Sequence, residues 1–152
     1  MKKPLWQPTE LKKKNSILAD FAKFINFKSE YNFKDLWKWT IENPEEFWSY
    51  FWDYSKIKGD KGKEVIQYNK VFNKTKFFPD SKINYAENIL KKKTDDIAIH
   101  FLSEKGFEES ISWNKLYEKV CKFSGYLKTL HLKKGDRVAA YVPNKIESVI
   151  SF

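Results

Sequence analysis

The chain has 152 residues, 41% of them hydrophobic and 18% aromatic, with a formal net charge of +9 at pH 7. That balance excludes a disordered or low-complexity polypeptide, and no apolar run approaches the ~18 residues of a membrane-spanning helix. Arg137 is the single arginine among 29 basic residues, so the charge reads as a solvated lysine surface and not as the arginine-bearing footprint of a nucleic-acid binder.

The start, Met1 to Pro8, carries charge but no apolar stretch, so it does not read as a signal peptide. A single cysteine, Cys121, excludes an internal disulfide and a cysteine-based metal site. A cytoplasmic protein with no membrane and no nucleic-acid partner is expected.

Thr9 to Asn26 predicts one helix, capped by Thr9, with Leu11, Ile17, Leu18, Phe21, Phe24 and Ile25 on one stripe. Asn32 starts a second helix, with Phe33, Leu36, Trp37 and Ile41 facing inward. Asn43-Pro44-Glu45-Glu46 opens a third: a cap, a proline at the first helical position and two acids at the positive end of the dipole. Its Phe47/Phe51 and Trp48/Trp52 pairs stand four residues apart. Gly59 to Lys63 is a loop and Glu64 to Phe72 is extended. Phe77-Phe78-Pro79-Asp80 is a turn, and Asn84 caps a short helix over Tyr85 to Lys92.

The pattern changes near Asp95. Ile97 to Leu102 and Glu108 to Trp113 predict a hairpin around Gly106. Ser112 caps a long helix to His131, with Leu116, Tyr117, Val120, Phe123, Leu127 and Leu130 on its apolar face, and Lys133-Lys134-Gly135-Asp136 stops it. Val138 to Val142 then predicts a strand apolar on both faces, followed by a helix from Lys145. Such a strand needs cover on both sides, the habit of a parallel sheet. The expectation is therefore an α/β chain that is the front part of a larger layered body. An aromatic-rich helical segment spans 1–93, and an incomplete α/β domain spans 94–152.

Few residues carry chemistry. The stripe Trp37, Trp39, Phe47, Trp48, Phe51 and Trp52 has helical spacing and reads as core, with Trp39 the member expected to reach another surface. His100 and His131 stand on separate elements without a metal-ligand spacing. Cys121 reads as a partly buried structural thiol. The phosphate-cradling GxxxxGK[ST] and GxGxxG loops and the GxSxG elbow are absent. The acidic pairs Glu45-Glu46, Asp95-Asp96 and Glu108-Glu109 read as caps or solvated turns.

Ile111-Ser112-Trp113-Asn114-Lys115-Leu116, followed by Gly135-Asp136-Arg137-Val138-Ala139-Ala140-Tyr141-Val142-Pro143-Asn144, resembles the opening of the large domain in the adenylate-forming acyl-CoA synthetase superfamily. Upstream, Pro4-Leu5-Trp6-Gln7-Pro8, Phe47-Trp48 after Asn43-Pro44, and Phe77-Phe78-Pro79 before Ile83-Asn84-Tyr85-Ala86-Glu87-Asn88-Ile89-Leu90 are similar to the acetoacetyl-CoA synthetase branch. Acetyl- and propionyl-CoA synthetases share the layout and stay open as alternatives, as does a standalone interaction module.

The resemblance implies a ligase that joins a short acyl acid, acetoacetate in the first instance, to CoA. It would use ATP and Mg²⁺ and pass through an acyl-adenylate. The superfamily's functional motifs match no position in 1–152. No catalytic, cofactor-binding or metal-ligating residue is therefore assigned to this chain, which is expected to be inactive alone.

Overall fold

The computed structural model describes residues 5–28 and 32–152. Met1 to Pro4, including the first residue of the Pro4–Pro8 motif, lie outside them. The chain divides into two compact units, Met1–Asn84 and Tyr85–Phe152.

The first unit opens with two helices where the sequence predicts one: α1 (Glu10–Lys14) and α2 (Ile17–Phe24). The reason is Ser16. Its hydroxyl donates to the Lys13 carbonyl (2.8 Å) and accepts from the Ala19 amide (3.2 Å), closing one helix and capping the next. Thr9 caps α1 as expected, its Oγ1 accepting from the Lys12 amide. α2 ends with Asn26 in the left-handed region (φ 51°), the Phe27 amide reaching the Ala22 carbonyl and the Asn26 amide that of Lys23.

α3 (Phe33–Glu42) starts in a reciprocal capping box. Asn32 Oδ1 accepts from the Asp35 amide, and Asp35 Oδ2 from the Asn32 amide. α4 (Pro44–Tyr54) has proline in its first turn and Glu45 and Glu46 behind it. Asn43 precedes α4, yet its side chain donates to the Trp39 carbonyl and so closes α3 instead.

An aromatic cluster joins these helices. The Phe21 ring meets Phe47, Phe51 and Tyr54 edge-on, at centroid distances of 5.9, 6.2 and 5.2 Å. The expected inward stripe of α3 is rotated. Leu36 is buried, while Phe33, Trp37 and Ile41 face solvent. Trp39, expected to point away, packs on Phe27, Phe47 and Tyr50.

Beyond α4, β1 (Gly59–Asp60) pairs antiparallel with β4 (Lys82–Ile83), and β2 (Ile66–Gln67) with β3 (Lys76–Phe77). The extended run expected over Glu64 to Phe72 shrinks to β2, because the chain turns into a short 3₁₀ segment at Phe72–Lys74. Gly59 has φ 142°, and a Cβ there would stand 2.5 Å from the Lys82 carbonyl oxygen, so the β1–β4 pairing requires glycine. Trp48 on Phe77 and Trp52 on Phe78 (5.1 and 4.8 Å) hold α4 against β3 and the turn after it. The Lys61 ammonium donates to Ser49 and Asp53 on α4.

The second unit runs α5 (Tyr85–Ile89), β5 (Ile97–Leu102), β6 (Glu108–Ser112), α6 (Trp113–Thr129) and α7 (Ile146–Ser151), the expected order apart from the strand between the last two helices. β5 and β6 form the predicted hairpin, with Ile99 opposite Ile111 and Leu102 opposite Glu108. Gly106 (φ 77°) makes its turn. Ser112 caps α6 through the Lys115 amide. α6 stops earlier than the Lys133–Asp136 signal implies, because His131 takes the left-handed position (φ 54°) that usually goes to glycine. Leu90, Ile111, Leu116 and Ile146 form the buried core of this unit, with Ile99, Val120 and Ile150 packed around it.

The largest departure is Val138 to Val142, which is not a strand among the described residues. The sheets of the described residues are three antiparallel pairs, so no parallel neighbour is present to pair with it. The expected α/β body is represented by its hairpin and helices, not by its parallel sheet.

Phe21→Ala should lower the stability of the first unit by about 3–5 kcal/mol, because it empties the centre of the aromatic cluster. Trp37→Ala, on the solvent face of α3, should change it by under about 0.5 kcal/mol. Urea unfolding of the two variants followed by circular dichroism checks this. Equal losses would place the cluster elsewhere.

Candidate functional site

The residues that carried the sequence resemblance lie on one continuous path in the second unit. Ser112 ends β6 and caps α6. After α6, Asp136 Oδ2 accepts from the Lys133 amide (2.7 Å) and Gly135 takes φ 103°, closing the turn. The chain then runs through Arg137 to Asn144. Across 137–144 no backbone N–H or C=O has a hydrogen-bond partner among the described residues. Val138 is 61% exposed, Val142 52%, and Tyr141 fully.

Order resumes at Lys145, whose amide donates to Ser148 Oγ at the start of α7. Ile146 directly after it is 1% exposed. An apolar segment lacking backbone partners is thus strung between a fixed turn and a buried anchor. Backbone groups left in this state are normally paired in a native protein.

His100 is exposed, with Nδ1 2.7 Å from Ser110 Oγ across the hairpin, and His131 ends a helix. Cys121 is exposed, correcting the expectation of a partly buried thiol. Position 121 turns away from the side of α6 that buries Leu116 and half-buries Val120. Asp95 accepts from Asn114 Nδ2 (2.8 Å), and Asp96 pairs with Lys92 (2.7 Å), so this acidic pair ties the entry of β5 to its surroundings. The hydrogen bond from Lys92 is the main reason the Asp96 carboxyl is held below its ordinary range. Among the described residues, no group of three or more His, Cys, Asp or Glu side chains could hold a metal ion.

The first unit has an open hollow of about 660 Å³ lined by Asp20, Lys23, Phe24, Asp53, Tyr54 and Lys56. Sequence reasoning missed it. Asp20 and Tyr54 are far apart in the chain and share no local pattern. The Tyr54 hydroxyl donates to Asp20 Oδ2 (3.0 Å). Burial, then the Asp20 hydrogen bond and charge, raise the tyrosine pKa. The phenol therefore stays protonated and acts as a donor joining α4 to α2, not as a nucleophile.

Residues 86–152 match the model of the AMP-binding enzyme family. The match spans Ser112, α6 and the whole Gly135–Asn144 segment. The chain is 30% identical to the acetoacetyl-CoA synthetase of Macaca fascicularis, covering 95% of this chain and 22% of the relative. It is 34% identical to that of Xenopus tropicalis, covering 97% and 23%. The acetyl-coenzyme A synthetase of Desulfatibacillum aliphaticivorans is 39% identical over 68% of this chain and 17% of its own length. The resemblance to acetoacetyl-CoA synthetases thus extends across both units, and the chain spans about a fifth of the length of the curated relatives it matches. No helix among the described residues is long and apolar enough to cross a membrane.

Two outcomes check this account of the surface. Cys121 should react stoichiometrically with a thiol reagent in the folded chain, without denaturant. On α6, Lys115 and Lys122 both donate to Glu118 (2.7 and 2.6 Å) and lower its pKa to about 2. The folded value lies below the unfolded one, so the ion-pair contribution is present above the ordinary glutamate range and is lost as pH falls toward 2. Carboxyl NMR titration should find this midpoint, and Lys115→Ala with Lys122→Ala should return it to the ordinary range.

Proposed function

We propose that this chain is the amino-terminal part of an ATP-dependent acyl-CoA ligase acting on acetoacetate. The single observation that carries the reading is the AMP-binding family match over 86–152, joined to a similarity to acetoacetyl-CoA synthetases that also covers the helical first unit. In this reading residues 1–93 are an N-terminal extension and 94–152 open the AMP-binding domain. The similarity to an acetyl-coenzyme A synthetase over 68% of the chain supports acetate as the second reading for the acyl acid.

The proposed reaction has two displacements. The acyl carboxylate oxygen attacks the α-phosphorus of ATP, and pyrophosphate leaves to give the acyl-adenylate. The sulfur of CoA then attacks the acyl carbon, AMP leaves, and the thiol proton is released. Mg²⁺ would neutralise charge on the phosphates. Such steps gain their rate from positioned cations and backbone donors around phosphate and carboxylate. No residue of 1–152 is assigned to these roles, so the chain's part is to build the scaffold. Cytoplasmic location and small-molecule substrates belong to the same proposal. A standalone interaction module is disfavoured by the unpaired Arg137–Asn144 backbone.

Acetoacetate-dependent ATP–pyrophosphate exchange tests the reading. The isolated chain should give only background. A chimera in which it replaces the aligned portion of the Xenopus tropicalis relative should be active, with acetoacetate preferred to acetate. Turnover by the isolated chain would refute the scaffold role, and an inactive but folded chimera would refute the ligase reading.

A further inference from the structure

We propose that Leu5, Trp6, α1 and the first turn of α2 form a docking surface for an anionic lipid bilayer, which the chain contacts from one side. The inference goes beyond the ligase reading and does not depend on it. Three observations carry it.

The first is a run of large apolar side chains left in water. Leu5 is wholly exposed, Trp6 70%, Leu11 69% and Ile17 79%. α1 buries none of its five residues. A helix that short is marginal in water without a packed face, so α1 leaves a face for a partner to complete.

The second is charge. Residues 5–28 hold Lys12, Lys13, Lys14, Lys23 and Lys28 against Glu10 and Asp20. Lys12, Lys13 and Lys14 are exposed and fall between Leu11 and Ile17. Of the two acids, Glu10 pairs with Lys13 (2.7 Å) and Asp20 accepts from the Tyr54 hydroxyl. Protruding apolar side chains among excess lysines match an interface with acidic headgroups and acyl chains just beneath them.

The third selects a bilayer over a folded partner. The four apolar side chains stand on three stretches of backbone: the entry before α1, α1 itself and the start of α2. A rigid protein would need a matching pocket for each, whereas a bilayer admits them one by one. The lysine ammonium is a compact charge that needs no fixed geometry, and the forked arginine suited to nucleic-acid phosphates is absent before Arg137. No helix among the described residues is long and apolar enough to cross a membrane. The expectation of no membrane partner came from the lack of a spanning run, and a one-sided contact needs none.

Vesicle flotation of the full chain tests the proposal, because aggregated protein stays at the bottom of the gradient. Vesicles of phosphatidylcholine mixed with phosphatidylserine should carry about tenfold more chain than pure phosphatidylcholine, and added salt should release it. Lys12→Glu with Lys13→Glu and Lys14→Glu should cut the bound fraction about tenfold or more, as should Trp6→Ser with Leu11→Ser. These side chains lie outside the core, so the circular dichroism should not change. Lys70→Glu with Lys74→Glu and Lys76→Glu makes the same charge change at other exposed positions and should leave most of the binding in place.

Binding to acidic vesicles that both surface variants lose and the control keeps supports the proposal. No flotation overturns it, as does equal flotation with both kinds of vesicle. Equal loss with lysines changed at either place reduces binding to net charge and overturns the surface. Flotation that Trp6→Ser with Leu11→Ser leaves unchanged does the same. Self-association abolished by that apolar variant, without flotation, assigns the surface to a second copy instead.

Discussion

Ile146 is the constraint on which the second unit turns. It is the most deeply buried large side chain among the described residues, and it lies immediately beyond the least covered segment. Its contacts with Leu90, Ile111 and Leu116 bring together the end of α5, the hairpin, the start of α6 and the start of α7. Once those four are fixed, the chain between α6 and α7 must cross a set distance, and residues 137–144 do so without folding back on the unit. Close packing at one point thereby places an open backbone at another. Removing the Ile146 side chain would free α7 and let that backbone wander.

The first unit is organised differently. Its centre is aromatic, and edge-on rings around Phe21 and Phe47 replace the aliphatic packing of the second unit. Large rings let short helices bury area that their length would not otherwise allow. Among the described residues, three helices end on non-glycine residues with positive φ, namely Asn26, Lys56 and His131. Each closure costs backbone strain that glycine would avoid. Packing across the helix ends must offset it.

Local chemistry was legible in the sequence wherever a signal lay within four residues. The caps at Thr9, Asn32 and Ser112, the proline start of α4 and the turn at Gly106 follow from side chains acting on the nearest backbone. The misses were of longer range. Ser16 competes for the Lys13 carbonyl in the middle of an otherwise helical apolar stripe, and periodicity cannot see that contest. Trp37 and Trp39 exchange their expected roles because the partners Phe27 and Tyr50 come from elsewhere in the chain. Cys121 sits beside half-buried Val120 in sequence but on another side of α6. The apolar composition of Val138 to Val142 was legible, but the strand expected there does not form, since those residues make no backbone hydrogen bond among the described residues.

The distribution of apolar surface bears on the proposed scaffold role. Amphipathic patterning promises a covered face. On α6 Leu116 is buried, Phe123 and Leu127 are half-buried, and Leu130 just beyond the helix is exposed. The exposure continues through Leu132, Val138 and Tyr141, so the uncovered surface grows toward the segment with the open backbone. Scattered apolar side chains on a surface need no explanation, but a run adjoining an unpaired backbone does. A catalytic site requires groups held to fractions of an ångström by a surrounding shell. The region of this chain nearest to being a functional surface has no such shell, and it is the region most in need of one.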